Sequence, residues 1–147
     1  MTLASPPRPR HADRRHPSGR TPCPAGTFVW NELRVREVEK AKAFYARTLG
    51  WTYEPFGGGE HEYWVAKAGD AYVAGLMDLT PPGMAGAPAG WFGFIEVDDV
   101  DARVAEAKKA GAQVFREPFD IPGVGRIAVL VDPTGAEIGW MTSATQG

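Results

Sequence analysis

Phe28-Val-Trp-Asn-Glu-Leu-Arg-Val-Arg-Glu-Val-Glu-Lys-Ala-Lys-Ala-Phe-Tyr-Ala-Arg-Thr-Leu-Gly-Trp51 holds two periodicities in succession. Up to Val35 it is rich in β-formers, and Leu33 and Val35 alternate with polar neighbours, which predicts a strand. From Glu37 the spacing changes. Val38, Ala41, Phe44, Tyr45 and Leu49 recur at helical intervals, and Gly50 stands where a glycine ends a helix, so a helix is predicted over 38–49.

Three short strands follow on the same reasoning, Trp51–Phe56, Glu62–Lys67 and Tyr72–Leu79, parted by Gly57-Gly-Gly59 and by Ala68-Gly-Asp70. A linker, Thr80–Gly90, carries three prolines and three glycines. The plan then repeats: strand Trp91–Val97, an acidic cap at Asp98-Asp99, a helix Val100–Ala110 closed by Gly111, and strands Gln113–Arg116, Arg126–Val131 and Ala136–Met141. Asp132-Pro-Thr-Gly135 is the last turn. Val100, Val104 and Ala107 form the second helix's apolar stripe, with Lys108 and Lys109 at the negative end of its dipole.

The two halves keep register. Trp30, Leu33, Val35 and Val38 lie 62 positions before Phe92, Ile95, Val97 and Val100. Two copies would leave a solenoid without caps, so a closed, pseudo-symmetric pair is expected. The fold class is α+β: two tandem βαβββ modules forming a curved mixed sheet around a small-molecule cavity. The expected organisation is a Pro/Arg-rich disordered extension over 1–26 and one domain over 27–143, with modules 28–79 and 91–142 joined by linker 80–90.

A chain of 147 residues, 44% of them apolar, suits one domain with a real core. Residues 1–27 hold five arginines and one acid; the remaining 120 hold eleven basic and seventeen acidic side chains, a net −6. An acidic folded part repels phosphate backbones, which argues against nucleic acid as a partner. The single cysteine, Cys23, excludes an intramolecular disulfide and suits a reducing, cytoplasmic setting. No apolar run reaches the roughly 18 residues that span a bilayer, and the first 25 residues lack the apolar stretch of a secretory signal. A soluble chain with no membrane partner is expected.

Residues 33–51, Val97-Asp-Asp-Val-Asp101 and Val131-Asp-Pro-Thr-Gly135 resemble the vicinal oxygen chelate superfamily, which unites glyoxalases, bleomycin-resistance proteins and extradiol dioxygenases. The likeness covers residues 28–142. It implies that each module's sheet lines half a cavity with the helices outside, and that metal ligands stand on the first and last strands. Those positions here are Trp30, Phe92, Gly139 and, through the repeat, Gly75. None binds a metal through its side chain. The folded part also has one histidine, His61, beside a glycine loop, where a solvated loop residue is the simpler reading. No metal and no cofactor are therefore expected, although a carboxylate site from Glu32, Glu96 or Glu137 stays open.

Strand parity sends Trp30, Glu32 and Arg34 to the cavity face of the first strand, and Phe92, Phe94 and Glu96 to that of the fifth. With Gly75 and Gly139 opening space and Trp64 as a possible platform, the result is an aromatic pocket suited to a planar or cyclic molecule. Trp30 and Phe92 serve equally well as core, and Glu32–Arg34 or Arg34–Glu96 as ordinary ion pairs. Three functional readings stand. In one, the chain binds a small organic molecule without chemistry, as drug-sequestering relatives do. In another it is a metal-free isomerase, cyclase or lyase: Glu32, desolvated between rings, exchanges a proton, and Arg34 holds an anionic or enolic oxygen. A metal-dependent lyase or dioxygenase is the third. No serine or cysteine stands as a nucleophile, and the glycine runs precede no helix, which argues against nucleotide cofactors. By resemblance, a homodimer is expected, with modules paired or swapped across Thr80–Gly90.

Overall fold

The computed structural model describes residues 24–57 and 63–144. Most of the expected extension and His61 lie outside them. Strand β1 is Phe28–Val35, helix α1 Val38–Leu49, then β2 Thr52–Pro55, β3 Tyr63–Ala68 and β4 Ala71–Asp78. The second module repeats this with β5 Gly90–Glu96, α2 Val100–Lys109, β6 Gln113–Ile121, β7 Gly125–Val131 and β8 Glu137–Ser143. Between the modules lies one short 3-10 turn, Pro82–Met84.

All eight strands form one curved sheet in the order β2-β3-β4-β1-β5-β8-β7-β6. Each module contributes the same half: its first strand runs parallel to its last, and the halves meet where β1 pairs antiparallel with β5. This join lies within a single chain. The two modules thus complete one sheet.

Helix α2 has the better anchorage. The Asp99 carboxylate accepts from the Ala102 amide at 3.1 Å, satisfying one of the helix's free N–H groups. Val100, Val104 and Ala107 are buried against the sheet, where Val97 and Ala128 complete the cluster. Each fully buried valine is worth about 1.5–3 kcal/mol. Helix α1 ends as predicted, with Gly50 left-handed at φ 70°, yet buries none of its residues fully. The repeat explains this. Lys42 occupies the place of Val104 and Tyr45 that of Ala107, and the Lys42 amine sits 3.5 Å over the Trp64 ring. Where α2 sets a valine and an alanine against the sheet, α1 sets a lysine and a tyrosine, whose polar ends keep them from full burial.

One strand departs from the sequence reading. The sequence reading ends a strand at Arg116, whereas β6 continues through Pro118 to Ile121. β6 is an edge strand, where proline's missing N–H costs no ladder bond. Register shifts at Val114/Arg116 and Arg116/Phe119 accommodate the irregular stretch.

Candidate functional site

On the face opposite the helices, antiparallel register sets Trp30 against Phe94 and Glu32 against Phe92. Phe92 and Phe94, with centroids 5.1 Å apart, pack with Ile127 and Met141, and Trp30 joins them from β1. Beside this cluster lies a cavity of about 200 Å³, lined by Glu32, Arg34, Tyr63, Phe94, Arg116 and Phe119 among others.

Glu32 is a buried carboxylate, 7% exposed. Arg34 donates to it from Nε at 2.9 Å, and the guanidinium carbon lies 3.7 Å from the centre of the Phe92 ring. Tyr63 completes the arrangement from β3. Its hydroxyl accepts from Trp30 Nε1 at 3.1 Å. Burial, and then the neighbouring Glu32 carboxylate, push the Tyr63 phenol well above the ordinary tyrosine range, so it remains a proton donor at neutral pH. Trp30, Tyr63, Glu32 and Arg34 form one polar chain inside an aromatic wall, and such chains stiffen when every member has a partner.

Gly75 and Gly139 do not open space as the sequence suggested. A Cβ at Gly75 would collide with the Tyr63 hydroxyl and ring, and one at Gly139 with the rings of Phe94 and Phe92. The room left by the missing side chains is filled with aromatic carbon. Gly75 pairs with Glu32 as Gly139 pairs with Phe94, so the same device appears once per module.

Trp64 lies elsewhere. It pairs with Leu76 on the helix-bearing face and meets Lys42 of α1, so Tyr63 takes the cavity position in its place. Glu96 stands at the far end of β5 from Arg34, and its carboxylate accepts from the Ser143 amide at 2.9 Å and hydroxyl at 2.6 Å. It forms no pair with Arg34. Tyr63, Arg116 and Phe119 are among the lining residues that the sequence reading does not name, together with the apolar Met77, Ile121, Ile127 and Val129. For Tyr63 the available signal was its alternation with Trp64, but one register step decides which of the two faces the cavity.

The residues present do not fit the metal centre that the resemblance implies. Indole offers only a donor N–H, phenyl offers nothing, and glycine has no side chain. Among the described residues no three His, Cys, Asp or Glu side chains come together as a ligand set. Glu32 and Glu96 are engaged with Arg34 and Ser143, and Glu137 is exposed at the start of β8. A shallower, larger depression of about 400 Å³ lies near Ala25, Ile95 and Trp140. Its one charged side chain, Arg103, is bound to Asp98 at 2.8 Å, which leaves it no free group for chemistry.

A paired βαβββ sheet with helices on one face and a lined cavity on the other defines a class of small-molecule-binding folds. The chain belongs to the Glyoxalase/Bleomycin resistance protein/Dioxygenase superfamily, whose family model matches residues 27–139. It is 46% identical over 123 residues to "Putative glyoxylase CFP32" of Mycobacterium tuberculosis, covering 82% of this chain and 46% of that protein. It is 32% identical over 135 residues to the anthracycline biosynthesis protein DnrV of Streptomyces peucetius, covering 83% and 49%. The chain thus spans about half the length of these curated relatives. Among solved structures, Streptomyces coelicolor methylmalonyl-CoA epimerase superposes with a TM-score of 0.62 at 18% identity, covering 83% of this chain and all of that one. Homoprotocatechuate 2,3-dioxygenase from B. fuscum gives 0.57 at 20% identity over 83% of this chain and 34% of its own. Both likenesses are of fold. No helix among the described residues is long and apolar enough to cross a membrane.

Proposed function

We propose that the chain binds a small planar or cyclic organic molecule in the cavity lined by Glu32, Arg34, Tyr63 and Phe94, without a metal ion. One observation carries this reading: the four positions the family uses for ligands hold an indole, a phenyl ring and two glycines covered by aromatic rings. Such walls favour flat apolar molecules, and the polar chain at one side fixes their orientation.

A second reading is favoured by the buried Glu32. Held between Arg34 and the protonated Tyr63, it is placed to move a proton on a bound molecule while Arg34 steadies a developing oxyanion. This is metal-free isomerase, cyclase or lyase chemistry. Native mass spectrometry of the purified full chain separates the readings. An organic ligand recovered unchanged supports binding alone, a ligand converted on incubation supports catalysis, and a stoichiometric metal ion overturns both.

The chain is also proposed to form a homodimer through the outer face of α1. Phe44 (57%), Leu49 (57%) and Trp91 (49%) are exposed there, around Tyr45 stacked on Trp51 at 5.1 Å. An exposed aromatic patch of this kind marks an interaction surface. Antiparallel α1 helices would set acidic Glu37 and Glu39 near Arg47 of the partner copy.

A further inference from the structure

We propose that the cavity's ligand is an anion, a carboxylate or phenolate carried on a single ring, and that Arg116 meets its charge; this rests on the small-molecule reading above. The lining carries two guanidinium groups, Arg34 and Arg116, and one carboxylate, Glu32. Glu32 is committed to Arg34 at 2.9 Å, which leaves one positive charge over. Among the described residues Arg116 has no hydrogen-bond or ion-pair partner; its guanidinium instead lies 3.9 Å over the Phe119 ring. A guanidinium is a planar fork of donors that grips a carboxylate with two parallel bonds, and contact with the Phe119 ring restrains it without using any of those donors.

The backbone points the same way. β6 loses register on both sides of Arg116, between Val114 and Arg116 and again between Arg116 and Phe119. A bulge re-aims a side chain that regular pleating would place elsewhere, and here both Arg116 and Phe119 line the cavity. The remaining wall, including Phe94, Ile127 and Val129, is apolar and suits the ring rather than the charge. Size sets the upper limit. About 200 Å³ falls below the roughly 300–1,000 Å³ of pockets for drug-sized ligands, so one ring with a small anionic substituent fits and a polycycle does not.

The test uses benzoate and its neutral counterpart benzamide as probes, titrated into the full-length protein and followed by tryptophan fluorescence or ligand-observed NMR. Benzoate binding about tenfold tighter than benzamide is expected, with the difference shrinking as salt is added. Arg116→Gln should bring benzoate down to the benzamide level without altering benzamide, and Arg116→Lys should keep part of the preference. A thermal melt checks that each variant is folded. Equal binding of the two probes, or a preference that survives Arg116→Gln, overturns the anion assignment while leaving a small-molecule cavity. Failure of both probes to bind overturns the anion assignment and the single-ring size limit, and the small-molecule reading is then judged separately by what co-purifies with the protein.

Discussion

The Tyr63 hydroxyl lies over Gly75 so closely that a single added methyl group at that glycine would occupy the same space. The clash involves the ring carbon Cζ as well as the oxygen. Gly75→Ala should therefore cost about 1–3 kcal/mol, the usual penalty for overpacking a core, read as a lowered midpoint in denaturant. Tyr63→Phe in the same background should not restore stability, since the ring remains. Tyr63→Leu should restore part of it. A Gly75→Ala protein as stable as the parent would mean that the ring is not held there.

Alkaline titration examines the same phenol from its charge. Tyr63 is kept protonated by burial and by Glu32, so its folded pKa is above the unfolded value near 10. A raised pKa adds stability that is complete below about pH 10 and is lost as pH climbs beyond it, because only the unfolded chain can then release the proton. Burial also pushes Tyr53 above the ordinary tyrosine range, so among the four tyrosines ultraviolet titration should show two ionising late, with Tyr63 refusing to ionise until the protein unfolds. Tyr63→Phe should remove that lagging step and flatten the fall in stability above pH 10. Ionisation of Tyr63 near pH 10 in the folded protein, seen as a parent titration that Tyr63→Phe lowers there by one tyrosine, would contradict the buried donor.

Glu32 and Arg34 form a part-buried pair, with side chains 9% and 18% exposed. Glu32→Gln keeps the shape but leaves the guanidinium without a counter-charge, and a cost of about 1.5–3 kcal/mol is expected from the lost charged hydrogen bond. Chemical denaturation measures it. If Glu32 moves a proton during turnover, the variant should bind the native ligand and fail to convert it; retained conversion would remove Glu32 from the chemistry while leaving the ion pair in place.

The elements were legible where one face of an element differed from the other. Helix α1 was read to the residue because five apolar positions share a face and Gly50 stops it, and the 62-residue register from Trp30 and Phe92 foretold a sheet with two equivalent halves. The cavity was less legible. Tyr63-Trp-Val-Ala66 is apolar on both faces, since β3 lies under α1 on one side and against the aromatic cluster on the other, so alternation carries no contrast and Trp64 was chosen over Tyr63. Arg116 and Phe119 sit in the irregular part of β6 around Pro118, where register shifts at Val114/Arg116 and Arg116/Phe119 break the alternation that would mark a cavity face. The space beside Gly75 and Gly139 depends on rings from other strands, which no local pattern encodes.

Phe44, with more than half its surface in solvent on α1, separates a dimer surface from an idle apolar patch. In an isolated chain, Phe44→Glu removes little buried area, so stability should change by no more than about 0.5 kcal/mol. Across a two-fold interface the same change places two carboxylates in an aromatic contact, where desolvation and like-charge repulsion act together. Sedimentation equilibrium should thus report a dimer for the parent and a monomer for Phe44→Glu, with unaltered circular dichroism. The equivalent face of α2 provides the control: Val100 and Val104 are already covered by the sheet, so a surface change there, such as Glu106→Lys, should leave the association as it was. A parent protein that sediments as a monomer at all concentrations would show that α1 tolerates its exposed rings without a partner copy.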